Sequence, residues 1–240
     1  MSDHEKTIAL VLYPGLAALD VIGPLQVLKV LETFAPQYRT VVVAERNEPM
    51  SSDVPMQMIA DRTFDEVPHP YAIILPGGRL PTVRAMSDPA MRAYVRSAAE
   101  CAEVVASVCT GSLILASLGL LDGRKATTNW FWYGVLGPFG ATYRRERWAE
   151  DGKFIMSAGV SAGIDMALYL VSRLTDEATA RKVQLALDYD PQPPFGRIDW
   201  QHVPLLPRVL RGGITVAAPL IAAKSRRILR EERAPAAHLS

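Results

Sequence analysis

The Cys109 thiol, the Thr110 hydroxyl and the Asp20 carboxyl are the groups in this chain whose settings suit covalent chemistry. Val104–Val108 reads as a short buried strand, and Gly111–Leu118 as an amphipathic helix with small residues at its start. Cys109–Thr110 is the hinge between them. A sharp strand-to-helix turn holds the thiol out of the sheet and over the positive end of the helix dipole. That field is expected to lower the thiol pKa below its free value of about 8.5 and favour the nucleophilic thiolate. Gly111 leaves room for the helix to pack closely on the strand, as in a nucleophile elbow. The plainer reading of Cys109 is a buried small hydrophobe, and the elbow context favours the nucleophile. An exposed thiolate is what peroxide attacks, so Cys109 is expected to oxidise before Cys101. Cys101, among alanines at a helix end, reads as packing.

Asp20 sits in an apolar run, Ala17–Ile22. It reads either as a helix cap or as a carboxyl whose apolar neighbours raise its pKa, which suits an acid that holds or donates a proton near neutrality. Gly77–Gly78 reads as a turn, or as backbone N–H donors facing a ligand. Thr110 starts the helix, and its hydroxyl is also placed to donate to the neighbouring sulfur. The four histidines, His4, His69, His202 and His238, are all distant from the elbow in sequence, and no cysteine–histidine pair is visible. No grouping of His, Cys and acids has metal-ligand spacing. Leu75–Arg79 lacks the phosphate-binding fingerprints of dinucleotide and P-loop proteins.

These residues need a scaffold of strands alternating with helices. Thr7–Tyr13 reads as a strand buried on both faces, ended by Pro14–Gly15. A helix follows over about Ala18–Thr33, with a kink or restart expected at Gly23–Pro24. Arg39–Ala44 and Ala72–Leu75 read as strands, with irregular chain or a short hairpin over 45–71 between them. A helix is expected to begin at Asp88–Pro89, with Asp88 as its cap. Further on, Lys125–Thr128, Ala141–Trp148 and Phe154–Ser157 read as strands, the last after a turn at Glu150–Gly152. Ser161–Leu174 and Asp176–Leu187 read as helices. This alternation predicts an α/β fold, a doubly wound, mostly parallel sheet sandwiched by helices, flavodoxin-like, with a strand-to-helix nucleophile elbow. In such folds ligands bind at the carboxyl ends of the strands, where Asp20, Gly77–Gly78 and Cys109 fall. Residues 188–210 hold five prolines and no periodicity, and read as chain wrapping over the surface. One more helix is expected over 214–233. Its basic run Lys224, Arg226, Arg227 and Arg230 reads as a solvated face rather than a nucleic-acid contact. The expected division is one α/β domain, 1–196, and a dependent arm and helix, 197–240.

Of 240 residues 49% are hydrophobic and 21% charged, enough for one large core, and the formal net charge of +1 creates no field to recruit nucleic acid or a membrane. Two cysteines make no disulfide framework, no signal peptide precedes the first strand, and the apolar runs are too short for a bilayer. A cytoplasmic protein with reduced thiols is expected.

The chain resembles the ThiJ/PfpI branch of the class I glutamine amidotransferase-like superfamily, and within it the isocyanide hydratase-like subgroup. The resemblance runs from about residue 7 to 196. It is carried by Leu12–Gly15, Leu19–Asp20, Gly23–Pro24, Ile74–Gly78, Val108–Ser112, Ala126–Trp130, Ser157–Asp165 and Tyr189–Phe195. Many relatives place a histidine directly after the nucleophile, where this chain has Thr110, which lowers support for glutaminase or protease chemistry. The subgroup often has a histidine where this chain has Asn129. The resemblance implies hydration of an isocyanide to an N-substituted formamide, with Cys109 as nucleophile and Asp20 as general acid and base. Thr110 would orient or hydrogen-bond the sulfur, and Gly77, Gly78, Asn129 and Trp130 would bind substrate. It implies a homodimer acting on a small molecule with no metal and no organic cofactor. Two alternatives stand beside it: a non-catalytic small-molecule sensor related to AraC-type regulator domains, and an enzyme acting on reactive carbonyls such as glyoxals.

Overall fold

The computed structural model describes residues 5–233, so His4 and His238 lie outside the described residues, as do both ends of the expected division at 1–196 and 197–240. Strand β1 (Lys6–Val11) leads into helix α1 (Ala18–Phe34) and strand β2 (Tyr38–Ala44). Next come a two-stranded antiparallel hairpin, β3 (Met50–Ser51) with β4 (Gln57–Met58), and a short edge strand β5 (Arg62–Thr63). Strand β6 (Ala72–Leu75) is followed by α2 (Leu80–Ala85) and α3 (Pro89–Cys101), and β7 (Val104–Val108) by α4 (Gly111–Ser117). Strands β8 (Lys125–Ala126) and β9 (Thr142–Tyr143) pair apart from the main sheet. Between them lie 3-10 turns at Tyr133–Val135 and Gly137–Phe139. The antiparallel pair β10 (Trp148–Asp151) and β11 (Phe154–Ser157) precedes α5 (Ala162–Leu174), α6 (Glu177–Ala186) and the long α7 (Leu205–Arg233).

The main sheet has seven strands in the order β10-β11-β7-β6-β1-β2-β5, and β10 alone runs antiparallel to its neighbour. Its central strands are apolar without alternation because both faces are covered; β6, Ala72–Leu75, is buried at every residue. This is the doubly wound architecture expected from the sequence. The order matters for chemistry. Strand β6 lies between β1 and β7, so the turn after it, Gly77–Gly78, falls between the turns that carry Asp20 and Cys109.

Several local expectations are corrected. Helix α1 continues as one segment through Pro24 rather than restarting there. Pro24 has no N–H for the Asp20 carbonyl, one turn earlier, but α1 packs on α5 and α6, and that burial sustains it. The strand expected over Ala141–Trp148 is two short strands in different sheets. The short α2 after Gly77–Gly78 was not anticipated. Helix α7 begins at Leu205, not near 214, and runs through Gly212–Gly213 and Pro219. It lies against α4 and the two 3-10 turns, and Ala218, Ala222 and Ser225 are buried there. Tertiary contact here overrides poor local propensity. By length and composition alone, with a mean hydropathy of 1.4 over its most apolar stretch, α7 is long and apolar enough to cross a membrane, which corrects the expectation that every apolar run is too short.

Candidate active site

Cys109 adopts φ 57°, the left-handed region that a residue with a Cβ occupies uncommonly and holds when its surroundings impose it. Its N–H donates to the Ser157 carbonyl of β11 (3.1 Å), and its own carbonyl accepts from the hydroxyls of Ser112 (3.2 Å) and Thr128 (2.9 Å). Gly111 is what lets the turn close: a Cβ there would sit 2.1 Å from the Leu75 carbonyl oxygen. The elbow is therefore clamped by three elements and has no room for a side chain at its exit.

Asp20 is wholly buried. It does not cap its own helix, because Asp53 does, with Oδ1 accepting from the Ala18 N–H (2.9 Å). Instead Asp20 Oδ2 crosses to the next strand end and accepts from the Gly77 N–H (2.9 Å), while Oδ1 is buried with no hydrogen-bond partner. Burial pushes the Asp20 pKa up to about 7, against the lowering effects of Gly77 and the adjacent Cys109. Burial also pushes the Cys109 thiol up, and the Asp20 charge beside it pushes in the same direction. Two anions in one dry site repel, so the pair holds two protons below about pH 7, one just above it, and does not lose both in the neutral range.

These findings correct three expectations. Cys109 is 3% exposed, not an open thiolate over a helix end, and α4 is only two turns long. Cys101 is the exposed thiol, 3.4 Å from Nδ1 of His69, rather than a packing residue. The Gly77 and Gly78 N–H groups do not face a ligand: one is taken by Asp20 and the other by Thr110 Oγ1 (3.0 Å).

Thr110 does more than the expected bonding to sulfur, where its N–H and hydroxyl lower the thiol pKa against burial and the Asp20 charge. Its Oγ1 accepts from the N–H groups of Gly78 and Arg79 (3.2 Å) and lies 2.8 Å from Thr82 Oγ1. Thr82 Oγ1 lies 3.0 Å from the Tyr13 hydroxyl, which donates to the Pro76 carbonyl (3.0 Å). Three hydroxyl protons serve three contacts, and only one assignment satisfies all of them. Thr110 donates to Thr82, Thr82 to Tyr13, and Tyr13 to Pro76. The chain ties the elbow to the Gly77–Gly78 turn from behind. Sequence reading missed Tyr13 and Thr82 because nothing local marks them; their partners are 63 and 28 residues away.

Asp20, Gly77, Gly78, Cys109 and Thr110 thus converge. Asn129 and Trp130 lie on the loop that leaves the elbow after Thr128. Asn129 spends its side-chain oxygen on the Phe131 N–H (3.0 Å), a local turn contact. Trp130 lines a separate cavity of about 390 Å3 with Tyr133, Tyr143, Arg145, Trp200, Val203 and Arg211. A larger one of about 460 Å3 adjoins Tyr13 and Pro14. Neither is lined by Cys109 or Asp20. No cluster of three or more His, Cys, Asp or Glu with metal-binding geometry occurs among the described residues.

Comparison with known proteins adds to this geometry. The family model described as DJ-1/PfpI family matches residues 6–173. The chain is 38% identical over 188 residues to an isonitrile hydratase of Pseudomonas putida, covering 78% of this chain and 80% of that protein. It is 30% identical over 193 residues to the HTH-type transcriptional regulator CdhR of Pseudomonas aeruginosa, covering 78% of this chain but 54% of the regulator. A crystal structure of a ThiJ/PfpI family protein from Pseudomonas syringae superposes with a TM-score of 0.83 at 33% identity, over 91% of this chain and 90% of that one.

Proposed function

The chain belongs to the DJ-1/PfpI family, and from that premise we propose that it is an enzyme that hydrates an isocyanide to an N-substituted formamide. The observation that carries the reading is the buried carboxyl of Asp20, poised near neutral pH with one oxygen unpartnered, beside the elbow thiol. Similarity to a protein named isonitrile hydratase, another word for the same chemistry, supports the substrate class.

In the proposed cycle Asp20 takes the thiol proton, and the Cys109 sulfur bonds to the terminal isocyanide carbon. Asp20 returns the proton to that carbon, giving a thioimidate. Water then adds to the carbon while Asp20 moves a proton from water to the nitrogen. The carbon–sulfur bond breaks, the carbonyl forms, and the hydroxyl proton passes to sulfur. The sum is isocyanide plus water to formamide. A base within reach of a thiol of raised pKa is what such a nucleophile needs. Thr110 holds the two loops in register.

We further propose that residues 1–196 form the catalytic unit and 197–240 a dependent arm, and that the protein is a cytoplasmic homodimer that binds neither nucleic acid nor membrane. Exposed Leu205, Leu206, Val209 and Leu210 on α7 and Phe195 and Ile198 in the arm supply an apolar face for a second copy. Light scattering at micromolar concentration tests this, and a mass near 26.3 kDa would refute it.

The decisive assay incubates an aryl isocyanide with purified protein in reducing buffer and follows formamide. Cys109→Ala is expected to abolish turnover, and Asp20→Asn to lower it at least ~100-fold. Similarity to a regulator supports a second reading, a ligand sensor. A sensor would bind isocyanide saturably without releasing formamide, and that result, with Cys109 unoxidised, would overturn the hydratase reading.

A further inference from the structure

The cavity around Trp130 has a composition of its own. Its walls are rings: Trp130 and Trp200 approach with centroids 5.9 Å apart, and Tyr133 stacks on Tyr143 at 4.9 Å. Two arginines enter it from different parts of the chain. Arg145, from the segment between β9 and β10, lies 5.4 Å from the centre of the Trp200 ring. Arg211, from α7, lies 5.9 Å from the centre of Trp130 and 5.2 Å from that of Tyr133. A guanidinium stacked on a ring keeps its in-plane N–H donors free for an oxyanion. Among the described residues neither Arg145 nor Arg211 has a carboxylate within ion-pair distance, although ten other arginines do.

Two unpaired cations exclude a cationic guest from this aromatic box, in spite of its rings. Aliphatic guests would waste the flat walls. The volume, about 390 Å3, suits a small molecule rather than a macromolecular segment. We propose that this cavity is a binding site for a small planar aromatic carboxylate, whose ring lies among Trp130, Tyr133 and Trp200 and whose oxyanion bridges Arg145 and Arg211. Because Trp200 and Val203 come from the proline-rich arm, the guest also fastens that arm to the domain. The site is separate from the Cys109 thiol and does not depend on the chemistry proposed there.

Isothermal titration with an isosteric series tests it. Indole-3-acetate is expected to bind at least tenfold more tightly than indole-3-acetamide, and tryptamine not at all. Arg145→Ala and Arg211→Ala should each weaken indole-3-acetate at least tenfold and erase its advantage over the amide. Arg211→Lys, which keeps the charge and the long stem, should retain part of it and guards against loss through misfolding. Cys109→Ala should bind like the wild type, so a failed isocyanide assay would leave this result standing. Equal binding of acid and amide, no binding of either, or indifference to both arginine substitutions would overturn the proposal.

Discussion

Glu232, near the end of α7, grips the buried guanidinium of Arg92 at two points, with Nε to Oε1 at 2.6 Å and a terminal nitrogen to Oε2 at 2.9 Å. Arg92 is 1% exposed and also donates to the Met86 carbonyl of the preceding turn, and Arg96 joins on the same carboxylate. Hydrogen bonds from Arg92 lower the Glu232 pKa to about 2. This latch holds the end of the longest helix against α3.

Removing one partner of a buried pair strands the other charge. Glu232→Gln is expected to cost about 2–4 kcal/mol, less than a fully dry pair because the carboxylate is partly hydrated. The folded pKa lies below the unfolded value of about 4.3, so the stabilisation is complete above that pH and is lost as pH falls toward 2. Urea unfolding of both proteins at pH 7 and pH 3 checks this, and equal midpoints at pH 7 would refute it.

Asp20 has the opposite sign. Its folded pKa, about 7, lies above the unfolded value of about 3.9, so the native state binds the extra proton between them. The wild type therefore loses stability as pH rises from about 4 to about 7, and stays flat above. Asp20→Asn escapes this loss and should gain on the wild type over that window by a few kcal/mol, on the order of the shift itself. A stability difference that does not change between pH 4 and pH 8 would contradict the raised pKa.

The same substitution should lower the apparent pKa of Cys109, because it deletes the anion that opposes the thiolate. Ultraviolet titration of thiolate absorbance, with Cys109→Ser as blank, reads it. Faster thiol ionisation with slower turnover would separate the two functions of the carboxyl, and an unchanged or higher pKa would refute their coupling.

Thr110→Val leaves the N–H groups of Gly78 and Arg79 without an acceptor. Each such loss costs roughly 1–3 kcal/mol when buried. Thr110→Val should therefore unfold at lower temperature and lose activity, and Thr110→Ser should restore both. If valine is tolerated and serine is no better, the hydroxyl does not hold the loops.

A bulky maleimide at pH 7 should label Cys101 well before Cys109, since the first is exposed and the second 3% exposed. Peptide mapping after brief labelling decides it, and Cys109 labelled first would mean that the elbow opens readily.

The layers, the elbow and the alignment of Asp20, Gly77 and Cys109 were legible in the sequence. Continuous apolar strands and glycine-marked turns are local signals, and strand ends converge by topology. What sequence could not supply was burial. The helix-dipole argument predicts a depressed thiol pKa, but α4 is only two turns long, and desolvation and the Asp20 charge outweigh the Thr110 hydrogen bonds that favour the thiolate. Gly77 and Gly78 read as free donors because nothing local reveals that Asp20 and Thr110 consume them. Likewise, Pro219 and Gly212–Gly213 argue against the long α7, and only its docking explains it.

The hydroxyl chain from Thr110 through Thr82 and Tyr13 ends on a carbonyl, which has no proton to give. All three hydroxyls must turn together to reverse it, and doing so leaves Pro76 without its donor. The chain is thus a one-way dead end for protons, an insulating strut rather than a wire. A proton leaving the elbow along this route has no exit, so in the proposed cycle the protons pass among Asp20, Cys109 and the attacking water.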